Sequence, residues 1–309
     1  MAKRFVATAY GDPADVLECV DHEIPAPVSG QVVVQTRAIG MNPVDVKSVR
    51  GQTGTDGSRL PLAVGYELAG TVTAVGDVAD PFAVGDEVIV YRAHGAYADS
   101  VLANVRAVHP RPADLDVERA AGLLLVGVTA ADAVRTADVT ESDVVLVHGG
   151  SGAAGSIAVQ LAVTAGATVI ATASPANHEH LRALGAIPVA YGDGLLDRIV
   201  PLTPAPITAV IDTVGNDEAI DTSLTLVDNP GRIVSIAAFG RAADGIVLVN
   251  GSTPESRRYR AEAVEGLIAD AAAGTLVTEV AATFPLADAA TALVELERTH
   301  PRGKFILLP

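Results

Sequence analysis

The pattern of apolar positions in this chain changes near residue 119. Before it, short Val-rich runs at residues 31–36, 68–75, 87–91 and 97–102 alternate with turn formers: Pro25, Pro27, Gly30, Gly76-Asp77 and Gly85-Asp86. Runs of this length between such boundaries predict strands, so residues 1–118 read as a mostly β, barrel-like domain. After it, continuous apolar runs at 144–147, 167–174, 187–190, 207–212, 232–236 and 246–249 are separated mostly by helix-like stretches. A short continuous run suits a strand buried on both faces. A series of them with intervening helices predicts an α/β, doubly wound parallel sheet. Residues 257–273 predict one helix, with Ala, Val, Leu and Ile at helical spacing and Gly274 as its stop. Residues 277–309 predict a strand, a helix at 287–297 and a last strand at 304–308, folding back onto the first domain. The expected division is therefore 1–118 together with 265–309, and 119–264.

The run Val144-Val145-Leu146-Val147-His148 leads into Gly149-Gly150-Ser151-Gly152-Ala153-Ala154-Gly155, then an Ala/Val-rich helix that Gly166 ends, then a second strand. Gly149, Gly152 and Gly155 stand three apart, at the turn and the opening of the helix. Glycines there let backbone N–H groups and the helix N-terminus approach a pyrophosphate. Tight packing alone also selects glycine. The strand before, the helix after and the second strand about 25 residues on are what make this a dinucleotide-binding expectation. Gly149, Ser151, Gly152, Ala153, Ala154 and Gly155 are the residues expected to carry it.

The second strand ends in Thr172-Ala173-Ser174, where an NAD-binding protein usually has Asp or Glu for the ribose 2′-OH. No acid follows until Glu179, while Ser174, His178 and, further on, Arg182 fill the gap. A missing carboxylate removes repulsion against a 2′-phosphate, and hydroxyl and imidazolium groups can bind one. NADP(H) is therefore favoured over NAD(H). The plainer alternative is that Ser174 caps the next helix and His178 is solvated surface.

Composition narrows the setting. A chain of 309 residues that is 49% hydrophobic can bury a sizeable core and suggests two domains. The formal net charge of −16 repels nucleic acid and anionic membranes over most of the surface. Arg257, Arg258 and Arg260 form a local basic patch, read as a helix start facing solvent. No apolar run reaches membrane-spanning length and the N-terminus shows no signal-peptide pattern, so a cytoplasmic setting is expected. Cys19 is the only cysteine, which leaves no intrachain disulfide and no Cys-based zinc site.

Several short segments, in this order, carry a family resemblance: Gly40-Met41-Asn42-Pro43-Val44-Asp45, Gly65-Tyr66-Glu67-Leu68-Ala69-Gly70, Gly85-Asp86-Glu87-Val88, Gly95-Ala96-Tyr97-Ala98, Val126-Gly127-Val128-Thr129-Ala130, the glycine turn, Asp212-Thr213-Val214-Gly215 and Gly303-Lys304. Together they resemble the medium-chain dehydrogenase/reductase superfamily, specifically its zinc-independent NADPH:quinone oxidoreductase, zeta-crystallin-like branch. The resemblance covers nearly the whole chain. It implies a GroES-like β-barrel domain plus a doubly wound Rossmann domain with a six-stranded parallel sheet. It also implies a nicotinamide in the cleft between domains, near Asn42 and Thr129.

The zinc alcohol dehydrogenases of this superfamily place Cys where Asn42 stands and His where Tyr66 stands, so no metal is expected here. Among the histidines, His178-Glu179-His180 is the one paired spacing, and two residues apart on a helix they face different ways. Zinc polarises an isolated carbonyl. Without it, conjugated acceptors remain, because a quinone delocalises the added charge into an aromatic oxyanion and an enone into an enolate.

The resemblance implies catalytic roles for Asn42, Asp45 and Thr129. Asn42 would hold the substrate oxygen or the nicotinamide ribose, or serve as a local cap, and Asp45 would act as the family's acid or cap a short helix. Cofactor contacts are implied for Asn42, Thr129, the glycine turn, Ser174, His178, Tyr191, Val214, Gly215, Ala237, Ala238, Phe239 and Lys304. The proton-donor Tyr of related enoyl reductases has no counterpart in Gly51-Gln52-Thr53-Gly54, and Val46 stands where several quinone reductases have an aromatic. Protonation by water is therefore expected.

Other classes fit less well. Gly149-Gly150-Ser151-Gly152-Ala153 lacks the last Gly of a hydrolase nucleophile elbow. No Lys follows the glycines as a P-loop requires. The expected activity is NADPH-dependent hydride transfer to a quinone or similar conjugated carbonyl. An enone or alkenal double-bond reductase is the alternative, and a non-catalytic NADPH-binding or structural protein is the rival from another class. Residues 245–249, apolar and free of Pro, read as an edge strand that would pair with a second copy in a homodimer.

Overall fold

The computed structural model describes residues 2–78, 81–203, 205–299 and 301–309. Met1, at one expected domain limit, and His300, one of the histidines considered for metal binding, lie outside the described residues. In chain order the strands are β1 (Ala2–Ala7), β2 (Leu17–His22), β3 (Gln31–Gly40), β4 (Leu62–Ala63), β5 (Glu67–Val75), β6 (Glu87–Tyr91), β7 (Ser100–Asn104) and β8 (Val108–Pro110). Then follow β9 (Val144–His148), β10 (Thr168–Thr172), β11 (Ile187–Val189), β12 (Ala209–Asp212), β13 (Ile233–Ser235), β14 (Val247–Leu248), β15 (Val280–Pro285) and β16 (Lys304–Leu308). The chain forms two units, Met1–Leu125 with Ile268–Pro309, and Val126–Leu267.

In the first unit, β15, β16, β3, β5, β6 and β8 pair in that order, with β7 also on β3, and a small sheet β2-β1-β4 completes it. The C-terminal strand β16 pairs antiparallel with β3, Ile306 opposite Gly40 and Leu307 opposite Ile39, so the end of the chain does fold back onto this unit. That register sets Lys304 and Gly40 near one another. Core residues such as Val32, Val34, Ile39, Leu68, Val90 and Leu293 are almost completely buried. Each such side chain stabilises the fold by roughly 1.5–3 kcal/mol. The run expected as a strand at 97–102 begins three residues late: Tyr97 has turned into the core, its hydroxyl on a buried carboxylate, and the ladder with β3 starts at Ser100.

The second unit holds a parallel sheet ordered β11-β10-β9-β12-β13-β14. Counted along the unit, that is the 3-2-1-4-5-6 order of a doubly wound dinucleotide-binding sheet. All of β9 is buried, and β12 likewise, as continuous apolar runs require when helices cover both faces. β14 is the last strand in the order. The Ala153–Thr164 helix follows β9 and stops where Gly166 takes φ +88°, a conformation that favours glycine. The helix expected at 257–273 runs Pro254–Ala273.

Candidate functional site

In the second unit the turn after β9 is built by backbone crowding. Gly149 has φ +73°, and a Cβ on Gly155 would lie 2.1 Å from the Gly149 carbonyl oxygen, so the turn closes only around a hydrogen atom there. Gly152 differs. It is the N-cap of Ala153–Thr164, offers no side-chain cap, and a Cβ on it would meet only the Gly149 oxygen at 3.4 Å. The first N–H groups of a helix have no intrahelical partners, so this helix presents donors and the positive end of its dipole behind an open glycine. An anion such as a pyrophosphate fits that combination.

Beside the turn, Asn177 donates from Nδ2 to Ser151 Oγ at 3.3 Å and to Ser174 Oγ at 3.2 Å. It thereby ties the glycine turn to the end of β10, a contact the residue pattern did not single out. His178 lies close by and bonds through Nε2 to the Ala173 carbonyl at 3.4 Å. Arg182 is engaged by Glu179. Tyr191 is 59% exposed. His148, though it opens the motif, is buried and hydrogen-bonds Ser223 at 3.1 Å, and burial pushes its imidazole down to about 4, against the pull of Asp212.

One buried carboxylate shapes the loops after β12 and β13. Asp212 Oδ1 accepts the N–H groups of Val214 and Gly215, each at 3.0 Å. Its Oδ2 accepts from Ser235 Oγ at 2.5 Å, and that oxygen accepts the N–H groups of Ala237 and Ala238. Val214, Gly215, Ala237, Ala238 and Phe239 thus belong to two loops organised by a single side chain, with Val214 and Phe239 left 46% exposed at their tips.

Thr129, on the Leu124–Thr136 helix, accepts from Arg260 Nη1 at 3.2 Å. Arg260 also donates to the fully buried Asp132 at 2.8 Å, where Ser256 donates as well. This corrects the expectation that Arg257, Arg258 and Arg260 face solvent together. Arg260 is only 12% exposed, because a buried aspartate one helical turn from Thr129 draws its guanidinium inward.

In the first unit, Asn42 and Lys304 form a closed polar cluster with Glu67. Asn42 is 0% exposed. Its Nδ2 donates to Glu67 Oε1 at 3.0 Å and to the Gly40 carbonyl at 3.2 Å, and its Oδ1 accepts from Lys304 Nζ at 2.6 Å. Lys304, also sealed, pairs with Glu67 Oε1 at 3.0 Å, while Glu67 Oε2 accepts the Leu125 N–H at 2.8 Å. Both ends of the Asn42 amide are committed inside the protein. The side chain does not cap its helix either. Instead Asp45 Oδ2 accepts the Asn42 N–H at 2.8 Å and the Tyr97 hydroxyl at 2.9 Å. Asp45 Oδ1 has no partner. Desolvation pushes the Asp45 carboxyl up to about 7, against its hydrogen bonds from Asn42 and Tyr97 and the charge of Lys304.

Next to this cluster, Tyr66 is half-buried at the head of β5. Its hydroxyl is 3.3 Å from Ser48 Oγ, and its ring meets the His94 ring edge-on at 6.4 Å. These residues do not fit a zinc ion. The Asn42 oxygen already holds an ammonium, both Glu67 oxygens already accept donors, and a phenol stands where a soft or imidazole ligand would be needed.

Comparison with known proteins identifies the family of the chain. Residues 28–113 match the alcohol dehydrogenase GroES-like domain family, and residues 153–260 match the zinc-binding dehydrogenase family. A quinone oxidoreductase of Pseudomonas aeruginosa is 34% identical across 100% of both chains. A chloroplastic NADPH-dependent alkenal/one oxidoreductase of Arabidopsis thaliana is 27% identical across 99% of this chain and 79% of its own. A mycobacterial protein solved in complex with NADPH superposes with a TM-score of 0.86 at 31% identity, across 100% of both chains. With the GroES-like and zinc-binding dehydrogenase families matched in order along one chain, and a relative of that identity over its full length, this protein belongs to the quinone oxidoreductase branch of the medium-chain dehydrogenase/reductase superfamily.

Proposed function

We propose that this protein is an NADPH-dependent reductase that transfers a hydride to quinones or related conjugated carbonyls without a metal. The observation that carries the reading is the pairing of the glycine turn with the end of β10. An open helix N-terminus at Gly152 suits a pyrophosphate, and a carboxylate-free cluster of Ser151, Ser174 and Asn177 suits a 2′-phosphate. In this reading the second unit binds the dinucleotide, with Val214, Gly215, Ala237, Ala238 and Phe239 along it and Tyr191 and His178 near its phosphate. Thr129, steadied by Arg260, contacts the nicotinamide half. When bound, the cofactor supplies the hydride. In the first unit, Lys304 and Glu67 hold the sealed Asn42 amide in place.

Parallel fluorescence titrations with NADPH and NADH test the assignment. NADPH is expected to bind at least tenfold more tightly, and equal or absent binding overturns it. A double-bond reductase acting on enones is the second reading, favoured by the likeness to the alkenal/one oxidoreductase. A panel of quinones against enones separates the two by relative kcat/KM. We further propose a cytoplasmic homodimer joined along β14. In support, no helix among the described residues is long and apolar enough to cross a membrane, and β14 ends its sheet.

A further inference from the structure

In the second unit, β10 and β11 pair in parallel with Thr172 opposite Val189, and the Ala173 N–H donates to the Val189 carbonyl at 3.0 Å. Ser174 and Asn177 therefore follow one strand where Ala190 and Tyr191 follow its neighbour. Both pairs lie at the carboxyl end of the sheet, the end at which sheets of this topology bind their ligands. Tyr191 is exposed on the loop Ala190-Tyr191-Gly192-Asp193-Gly194, where Gly192 has φ +97° and Gly194 φ +77°. Such a loop has wide conformational freedom of its own, yet here it is held from two sides. Arg198, on the short Leu195–Ile199 helix, donates from Nε to the Ala190 carbonyl at 3.0 Å, from Nη2 to that of Gly192 at 2.7 Å and from Nη1 to that of Asp193 at 2.7 Å. The carbonyls on either side of Tyr191 thus meet one rigid, planar fork. From the Asp217–Leu226 helix, Glu218 Oε2 accepts the Gly192 N–H at 3.1 Å. The result is an exposed phenol on a fixed backbone, at the strand end beside that of Ser174 and Asn177.

We propose that Arg198 is a positioning residue for cofactor selection: it holds the Tyr191 loop so that the phenolic hydroxyl donates to the 2′-phosphate of the dinucleotide, with Glu218 steadying the same loop. The proposal rests on the NADPH reading above and concerns the second unit alone. A phenol carried on a mobile loop loses affinity to the cost of ordering that loop, whereas a loop already held by the fork meets that cost on folding. Arginine suits the task and lysine does not, because an ammonium is a compact point donor that cannot reach three carbonyls spread along a loop. The guanidinium is turned onto backbone oxygens. Its contribution is therefore the geometry of the loop and not its charge, and the two can be separated by experiment.

Calorimetric titration of the whole chain with adenosine 2′,5′-bisphosphate and with 5′-AMP reads the phosphate site without the nicotinamide. The unmodified protein should bind the bisphosphate at least about tenfold more tightly than 5′-AMP. Arg198→Lys keeps the charge and loses the fork. It should weaken the bisphosphate about tenfold and leave 5′-AMP within about twofold. Tyr191→Phe should also weaken the bisphosphate about tenfold, and Glu218→Ala about threefold. The deciding variant carries both Arg198→Lys and Tyr191→Phe. It should bind the bisphosphate within about twofold of Tyr191→Phe alone, because the fork acts through the hydroxyl, whereas an arginine with a merely structural role adds its loss to that of the tyrosine. Additive losses, or an unchanged preference in Arg198→Lys, overturn the proposal and leave the NADPH reading standing. If Arg198→Lys does not fold, Glu218→Ala combined with Tyr191→Phe completes the same cycle. An unmodified protein that binds the two nucleotides equally overturns the NADPH reading, and the proposal falls with it.

Discussion

Asp45 shows how position resets an ordinary side chain. In sequence it is one of several acids in Asn-Pro-x-Asp turns and helix starts. In the fold it is 1% exposed, with one oxygen satisfied and the other without a partner. Desolvation is the largest influence and pushes its carboxyl up to about 7. An acid raised in the folded state binds a proton that the unfolded chain has released. Its stabilising contribution is therefore complete below about pH 4, where an unfolded Asp is protonated, and is lost as pH rises through about 7. Asp45→Asn imitates the protonated form and can still accept from Asn42 and Tyr97. The stability of the natural chain relative to this variant, from urea unfolding at pH 5 and pH 8, should fall by roughly 1–3 kcal/mol between the two. A difference that does not move with pH means Asp45 is charged throughout. Nothing local distinguishes Asp45 from a simple helix cap, since its fate depends on Tyr97, 52 residues away.

At the scale of the element, the three glycines of the β9 turn have separate duties. Gly155 is required by packing, because any side-chain carbon collides with the Gly149 carbonyl. Gly152 is not, because its Cβ direction is nearly empty and its φ of −72° suits any residue. Gly152→Ala should fold with a stability change within about 1 kcal/mol and weaken NADPH binding at least tenfold, as the methyl group would stand where a phosphate approaches. Gly155→Ala should lose about 1–3 kcal/mol or more whether or not cofactor is present. Thermal melts with and without NADPH separate the two. Unaltered NADPH affinity in Gly152→Ala would remove the phosphate from this turn. The spacing of three was legible in the chain, but not which glycine serves the fold and which the ligand.

For the whole molecule, the position of β14 at the end of its sheet and the charge of −16 pull in opposite directions. An unpaired edge favours pairing with a second copy, while two strongly acidic copies repel at low ionic strength. The dimer proposed here should therefore tighten as salt rises from 10 to 150 mM, and Leu248→Lys, which adds a charge on the pairing edge, should yield monomers. Light scattering at micromolar concentration reads both. A monomeric mass for the natural chain in 150 mM salt refutes the dimer.

What the sequence determined by itself was whatever is written in consecutive residues. A strand buried on both faces must be apolar at every position, and a turn crowded by its own backbone must be glycine. The parallel sheet from β9 to β14 and its glycine turn were therefore visible, along with the final strand, which the structure places at Lys304–Leu308. The polar cluster was not visible as a cluster. Asn42 meets Glu67 across 25 positions and Lys304 across 262, and Thr129 meets Arg260 across 131. A hydrogen bond between distant residues leaves no periodicity in the chain, and a buried charge reads the same as a solvated one until its partner is known. Tertiary structure alone decided that Asn42 is sealed and that Arg260 turns inward.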